Sequence, residues 1–243
     1  MKFIRRSGRT FDEMREPEFE VNYLPHAEGS CLTKFGNTHV LCTATVDLQV
    51  PPFLRGKGTG WITAEYGMLP RSTGVRYQRE SLKGKVDGRT QEIQRLIGRS
   101  LRAAVDLKAL GERQIIVDCD VIRADGGTRT AAITGGFLAL HQAIKKLQRE
   151  GVIRTDPIKT QIAAISCGIV NDQPLLDLEY VEDSQADVDA NFIMSTDNQL
   201  IEVQATGEKR PFSEEEYNKI FSLAKKGVTE LLIMQRNIIK KHA

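Results

Sequence analysis

No apolar run in this 243-residue chain approaches the roughly 18–20 residues that a helix needs to cross a bilayer. The first ten residues, MKFIRRSGRT, carry basic charge without the apolar stretch that follows it in a secretory leader. Cysteine is scarce. Cys31, Cys42, Cys119 and Cys167 lie far apart and mostly within apolar stretches, which suits buried free thiols in a reducing compartment better than a disulfide framework or a zinc site. These absences make no membrane contact and a cytoplasmic location the expectation. The four histidines, His26, His39, His141 and His242, have no Cys or His partner at metal-ligand spacing. Also missing are a Gly-x-Ser-x-Gly elbow, a Walker A loop, a Rossmann fingerprint and an EF-hand spacing. Gly56-Lys57-Gly58-Thr59-Gly60 has neither the spacing nor the following helix of a phosphate loop, and reads as a flexible turn.

What remains is an ordinary globular balance, 40% apolar and 27% charged, with a net charge of only +2. Its charge is segregated, however. Nine basic residues stand against three acidic ones between Arg71 and Arg102, whereas Asp177–Asp189 holds six acidic residues and no basic one. Interdomain Pro/Gly linkers are absent, so residues 1–243 are predicted to form a single α+β domain. The N-terminal Lys2, Arg5, Arg6 and Arg9 form a basic arm, either mobile or used in contacts.

Strand-like segments are predicted at Phe19–Leu24, Ser30–Phe35, Thr38–Val46, Trp61–Tyr66, Gln114–Arg123, Gln161–Val170, Leu175–Tyr180, Asn191–Met194 and Leu200–Ala205. Gly36-Asn37 signals a hairpin, and Asn171–Pro174 a turn. Gly67–Val86 reads as a long basic loop. A helix begins near Asp87, burying Ile93, Leu96, Ile97, Leu101 and Ala104 on one face. Arg95, Arg99 and Arg102 lie on the opposite face, read as solvated or subunit-facing. A second helix runs over Ile133–Leu147, where Gly135-Gly136 suits close packing on a sheet. A third opens at the Ser213/Glu216 capping box.

Two stretches carry candidate chemistry. Asp125-Gly126-Gly127-Thr128-Arg129 falls between a predicted strand and a predicted helix. A helix N-terminus offers unpaired N–H groups and a favourable dipole to an anion, and glycine allows close approach. Arg129 adds a permanently charged fork. By itself this nest could seat a nucleotide, a cofactor or an RNA phosphate. Arg89 sits in the first turn of its own helix, the electrostatically unfavourable end for a cation, and so implies an anion nearby. In the acidic block, extended backbone would put Asp187, Asp189 and Asn191 on one face, with Asp183 in the preceding turn. Such oxygen ligands suit Mg²⁺ or Mn²⁺; a solvated acidic turn is the competing reading.

Longer runs carry a resemblance. Leu69-Pro70-Arg71-Ser72-Thr73 with Arg76 and Arg79, Ala64–Pro70, Gly88–Arg99, Asp118-Cys119-Asp120, Asp125–Thr130, Asp177–Tyr180 and Glu202-Val203-Gln204 together resemble the ribonuclease PH family. The likeness is to its bacterial members, relatives of polynucleotide phosphorylase and exosome ring subunits, and extends from about Arg6 to the last helix. The resemblance implies a ribonuclease PH fold of two βαβα-type halves packed in one domain. It also implies a phosphorolytic 3′→5′ exoribonuclease that trims tRNA precursors and other RNAs. Inorganic phosphate is the co-substrate and nucleoside diphosphates the products, with nucleotidyl addition as the reverse reaction. On this resemblance Arg89, Gly127, Thr128 and Arg129 bind phosphate. Asp183 and Asp189 serve catalysis and the metal, Mg²⁺ or Mn²⁺, and Arg71, Arg76 and Arg79 bind tRNA. The assembly it implies is a homohexameric ring, a trimer of dimers. Asp187 is given no role.

Overall fold

The computed structural model describes residues 5–82 and 84–242. Strands β1 (Pro17–Val21), β2 (Gly29–Phe35), β3 (Thr38–Asp47), β4 (Trp61–Met68) and β5 (Gln114–Arg123) form a sheet in the order β1-β2-β3-β5-β4. Its pairs are antiparallel except β4–β5. A parallel pair needs a crossover, and α1 (Gly88–Ala103) with the short α2 (Leu107–Leu110) supplies it. The helix after β5 is α3 (Thr128–Arg149). A second, antiparallel sheet of β6 (Ile162–Val170), β7 (Gln173–Leu176), β8 (Val188–Ser195) and β9 (Leu200–Gly207) has the order β7-β6-β8-β9. The one-turn α4 (Tyr180–Asp183) lies between β7 and β8, and α5 (Glu214–Lys241) closes the described chain.

Helix α3, with α1 beside it, lies between the sheets: it packs on β2, β3 and β5 and also against β6. The second sheet carries α5 against β6, β7 and β8. The layers therefore run sheet, helices, sheet, helix. Every residue of β6 is buried, as a strand covered on both faces must be. One hydrophobic cluster runs from Val40 and Val117 of the first sheet through Ile133 and Phe137 to Phe192 of the second and Val228 of α5. Gly135 lets α3 approach this closely, since a Cβ there would overlap Thr33 Oγ1. The α+β class and the pairing of each sheet with helices match expectation. So do the Gly36-Asn37 hairpin, the buried free thiols and the α5 capping box.

Several elements differ from the sequence reading. The turn before β7 shrinks to Asn171-Asp172, both at positive φ, so β7 begins at Gln173. It ends at Leu176, because Asp177 takes φ +53 and turns the chain into α4. β8 starts at Val188, three residues before the predicted Asn191. Arg102 is half-buried rather than fully solvated. Its guanidinium lies 4.4 Å from the centre of the Trp61 ring and donates to Ile62 O at 2.7 Å, a stacked cation rather than a surface charge.

Of the basic arm, Lys2 lies outside the described residues. Arg5 is buried, 2% exposed, and forms a two-pronged pair with Glu182, Nε to Oε1 at 2.7 Å and Nη2 to Oε2 at 2.6 Å. It also donates to the carbonyls of Leu176 and Asp177. The arm is therefore bound to its own chain. Among the described residues no helix is long and apolar enough to cross a membrane.

Candidate active site

Gly126 (φ +76) and Gly127 (φ +65) make the turn from β5 into α3, with Gly127 as the left-handed N-cap. A Cβ on Gly126 would come within 2.5 Å of Leu178 O, so glycine is required by space as well as by φ. No side chain caps α3, which leaves its first N–H groups to an external acceptor. They face a cleft of about 850 Å³ that Arg89, Gly127, Thr128, Arg129, Asp183 and Asp189 all help to line. Residues distant in sequence, singled out on separate grounds, thus meet in one place.

Their side chains are held by others that spacing alone did not single out. Arg129 donates to Gln204 Oε1 of β9 at 2.9 Å and to Glu92 Oε1 of α1 at 3.4 Å, and Gln204 Nε2 donates to the same Glu92 oxygen at 3.2 Å. Thr128 Oγ1 lies 2.8 Å from the hydroxyl of Tyr66 on β4, a phenol whose pKa burial pushes up, against the hydrogen bond with Thr128. Beneath the turn, Arg15 donates to Asp125 O at 2.5 Å and to Gly126 O at 3.4 Å, and Thr38 Oγ1 donates to Gly126 O at 2.6 Å.

The acidic block divides into two groups. Asp177, Glu179 and Glu182 turn away from the cleft toward arginines. Asp177 accepts from Arg15 Nη2 at 2.6 Å, Nε at 2.8 Å and the Arg15 amide at 2.8 Å; Glu179 pairs with Arg9 at 2.8 Å and Glu182 with Arg5. Burial would raise the Asp177 pKa, but Arg15 outweighs it and holds the carboxyl below its ordinary value. Asp183 and Asp189 remain on the cleft. Burial raises the Asp183 pKa against the pull of Arg89 and Arg129. Asp189 is pushed up to about 6 by burial and then by the charge of Asp183.

Asp187 lies one residue before the start of β8 and is not part of the cleft lining. No cluster of three or more His, Cys, Asp or Glu side chains suited to a metal occurs among the described residues. Two carboxylates on one cleft, with Asp183 close enough to raise the pKa of Asp189, do fit a divalent ion that keeps water and phosphate oxygens as its other ligands. Arg71, Arg76 and Arg79 are exposed on the β4–α1 loop. That loop lines the cleft through Thr73, Gly74 and Val75, not through the three arginines themselves.

Sequence comparison bears on this geometry. Residues 13–145 match the 3′ exoribonuclease family, domain 1, and residues 160–227 match domain 2 of the same family. The chain belongs to the 3′ exoribonuclease family.

Solved structures agree on the fold of this family member. Rice (Oryza sativa) Rrp46 superposes with a TM-score of 0.76 at 21% identity, over 96% of this chain and 98% of that one. A chain of the Archaeoglobus fulgidus exosome, solved with RNA bound to the active site, gives 0.79 at 22% identity over 99% and 93%. An archaeal exosome core chain gives 0.76 at 21%, over 96% and 91%. The domain 1 match ends at residue 145, within the last turns of α3, the helix shared by both sheets. The residues that spacing missed in this exoribonuclease fold, Tyr66, Glu92, Gln204 and Asp177, all lie in runs that carried the resemblance. No local pattern marked them as supports, because each acts on a residue distant in sequence.

Proposed function

We propose that the protein is a phosphorolytic 3′→5′ exoribonuclease that trims the 3′ ends of tRNA precursors and other RNAs, releasing nucleoside diphosphates. The observation that carries the proposal is the convergence of Arg89, the uncapped N-terminus of α3 with Arg129, and the Asp183/Asp189 pair on one cleft. In this mechanism inorganic phosphate sits on the N–H groups and hydroxyl at Gly127–Thr128, neutralised by Arg89 and Arg129. One phosphate oxygen attacks the phosphorus of the last linkage in line with its O3′ bond. That P–O3′ bond breaks, and the departing 3′-oxygen takes up a proton. The products are a nucleoside diphosphate and an RNA one residue shorter.

Positioning and charge neutralisation supply most of what such a transfer needs. Asp183 and Asp189 would hold Mg²⁺ or Mn²⁺, which when bound offsets charge on the phosphoryl oxygens. One of the two aspartates would also assist proton transfer to the 3′-oxygen. The reverse direction adds a nucleotide to an RNA 3′ end. Arg71, Arg76 and Arg79, exposed beside the cleft, would bind the RNA backbone; their number and the family motif favour a folded tRNA as the body of the substrate. We further propose that residues 1–243 act as one unit in a homohexameric ring in the cytoplasm.

The test is incubation of purified protein with 3′-extended RNA and Mg²⁺, with and without inorganic phosphate. Diphosphates that form only with phosphate are the expected outcome; monophosphates formed without it would overturn phosphorolysis. RNA binding with no product in either arm would indicate a non-catalytic ring subunit.

A further inference from the structure

The cleft has a polar floor and an apolar flank that the phosphate chemistry leaves unused. Met68, Val75, Leu178 and Tyr180 line it together with the charged residues. Within this set Val75 is 83% exposed and Tyr180 63% exposed. A large aromatic ring left open to solvent inside a cleft is surface awaiting a flat apolar partner.

Tyr180 has a defined position. It is the first residue of α4, and Asp183 is the last. Residues three apart on a helix are neighbours on one face, about 5–6 Å between Cβ atoms, and both of these line the cleft. The α4 turn is held rigidly. It has a Glu179/Glu182 capping box, Glu182 is clamped by Arg5, and the Tyr180 amide donates to Asp125 Oδ1 at 3.3 Å. The backbone of Tyr180 is thereby tied to the turn that opens α3, while its ring is free.

We propose that the Tyr180 ring is the stacking platform for the base of the RNA 3′-terminal nucleotide, and equally for the base of the nucleoside diphosphate product. This rests on the function proposed above and adds a base subsite to it. A nucleotide whose phosphorus lies beside Asp183 reaches its own base over about one helical residue-triplet's spacing, which is where Tyr180 stands. Stacking is indifferent to base identity, because every base has a π-face. The subsite therefore grips each successive 3′ end without selecting among sequences. An enzyme that removes nucleotides one after another needs such a grip.

The experiment compares Tyr180→Ala and Tyr180→Phe with the parent protein. Binding is measured in the absence of phosphate, using an RNA whose 3′-terminal base is 2-aminopurine, whose fluorescence reports stacking. Affinity for ADP and for inorganic phosphate is measured alongside. Tyr180→Ala is expected to weaken RNA and ADP binding by roughly 5- to 150-fold and to abolish the fluorescence change. Tyr180→Phe should behave as the parent, and phosphate affinity should be the same in all three. On an RNA whose last nucleotide lacks a base, the parent and Tyr180→Ala should bind alike. Unchanged RNA and ADP binding in Tyr180→Ala, a loss that persists on the abasic RNA, or an equal loss of phosphate binding would each overturn the proposal. A parent protein that binds RNA but makes no diphosphate would sink phosphorolysis while leaving the stacking measurement valid.

Discussion

Replacing Asp177 by asparagine removes a buried charge and changes little else. Asp177 is fully buried and takes φ +53, a conformation that Asp and Asn both tolerate better than other residues with a Cβ. Asn is also nearly isosteric. The substitution therefore removes the carboxylate's pairing with Arg15, whose guanidinium and amide make hydrogen bonds of 2.6–2.8 Å to it, and its longer contact with Arg9 at 3.3 Å. Arg15 is itself buried, so the variant leaves a cation out of water without its counter-ion. Breaking one side of such a pair costs about 3–5 kcal/mol, a large share of a domain's total stability. Urea denaturation at pH 7 should register this as a lower midpoint with an unchanged slope. The pH dependence gives an independent check of sign. The folded-state pKa of Asp177 lies below 3.8, so its contribution is complete above that value and lost as pH falls through the folded pKa. The gap between parent and variant should be constant from pH 7 to 5 and narrow below about pH 4. Phosphate-dependent turnover should also fall, since the same Arg15 holds the carbonyls of Asp125 and Gly126. A loss under about 1 kcal/mol, or a gap that does not close in acid, would refute the reasoning.

Gly126→Ala combines a positive φ with a Cβ forced to 2.5 Å from Leu178 O; it should cost about 1–3 kcal/mol and raise the KM for phosphate, read by denaturation and by steady-state kinetics. Tyr66→Phe removes the hydroxyl that meets Thr128 Oγ1. Losing one such bond, about 0.5–1.5 kcal/mol, should raise the phosphate KM by about 2- to 12-fold with the RNA KM unchanged, whereas an equal rise in both would assign Tyr66 to the fold alone. His141 has its pKa lowered from 6.5 to about 4 by burial and then by Lys145. Its neutral form is the one the fold accepts, so stability is intact above pH 6.5 and declines as pH falls toward 4. His141→Gln should remove about 1–2 kcal/mol of that decline, allowing for partial solvent exposure, and thermal unfolding at pH 7 and pH 5 would measure it.

Much of this molecule was legible in its sequence where the cause was local. The α5 cap needs only Ser213 and Glu216, three residues apart, and the glycine turn needs only its own φ angles. The floor of the cleft was legible too, since a misplaced cation at Arg89 and a helix-opening Gly-Gly each imply an anion. The errors arose where a distant residue decides the conformation. Nothing near Asp177 announces a left-handed residue; Arg15, 162 positions earlier, holds it there. Extended periodicity then seemed to continue to Tyr180, and the one-turn α4 was missed. Extended periodicity carried back from the predicted strand at Asn191 groups Asp187 with Asp189, whereas the cleft takes only Asp189. The sequence leaves the basic arm as either mobile or in contacts, because the acidic partners that decide for contacts lie in the other half of the chain.

That separation sets the order in which the site can form during synthesis. Arg5 and Glu182 are 177 positions apart, and Arg15 and Asp177 are 162 apart. Contacts closing loops of that length form late in folding, after local structure is in place. The first sheet, with α1 and α3, can assemble as it leaves the ribosome and would present a phosphate nest with no acidic partner. Asp183 takes its place only once the emerging second half meets the arginines made first. On the proposed function, RNA cleavage would therefore appear only with completed folding, and a partly made chain would hold the proposed phosphate nest without the carboxylates needed to cut RNA.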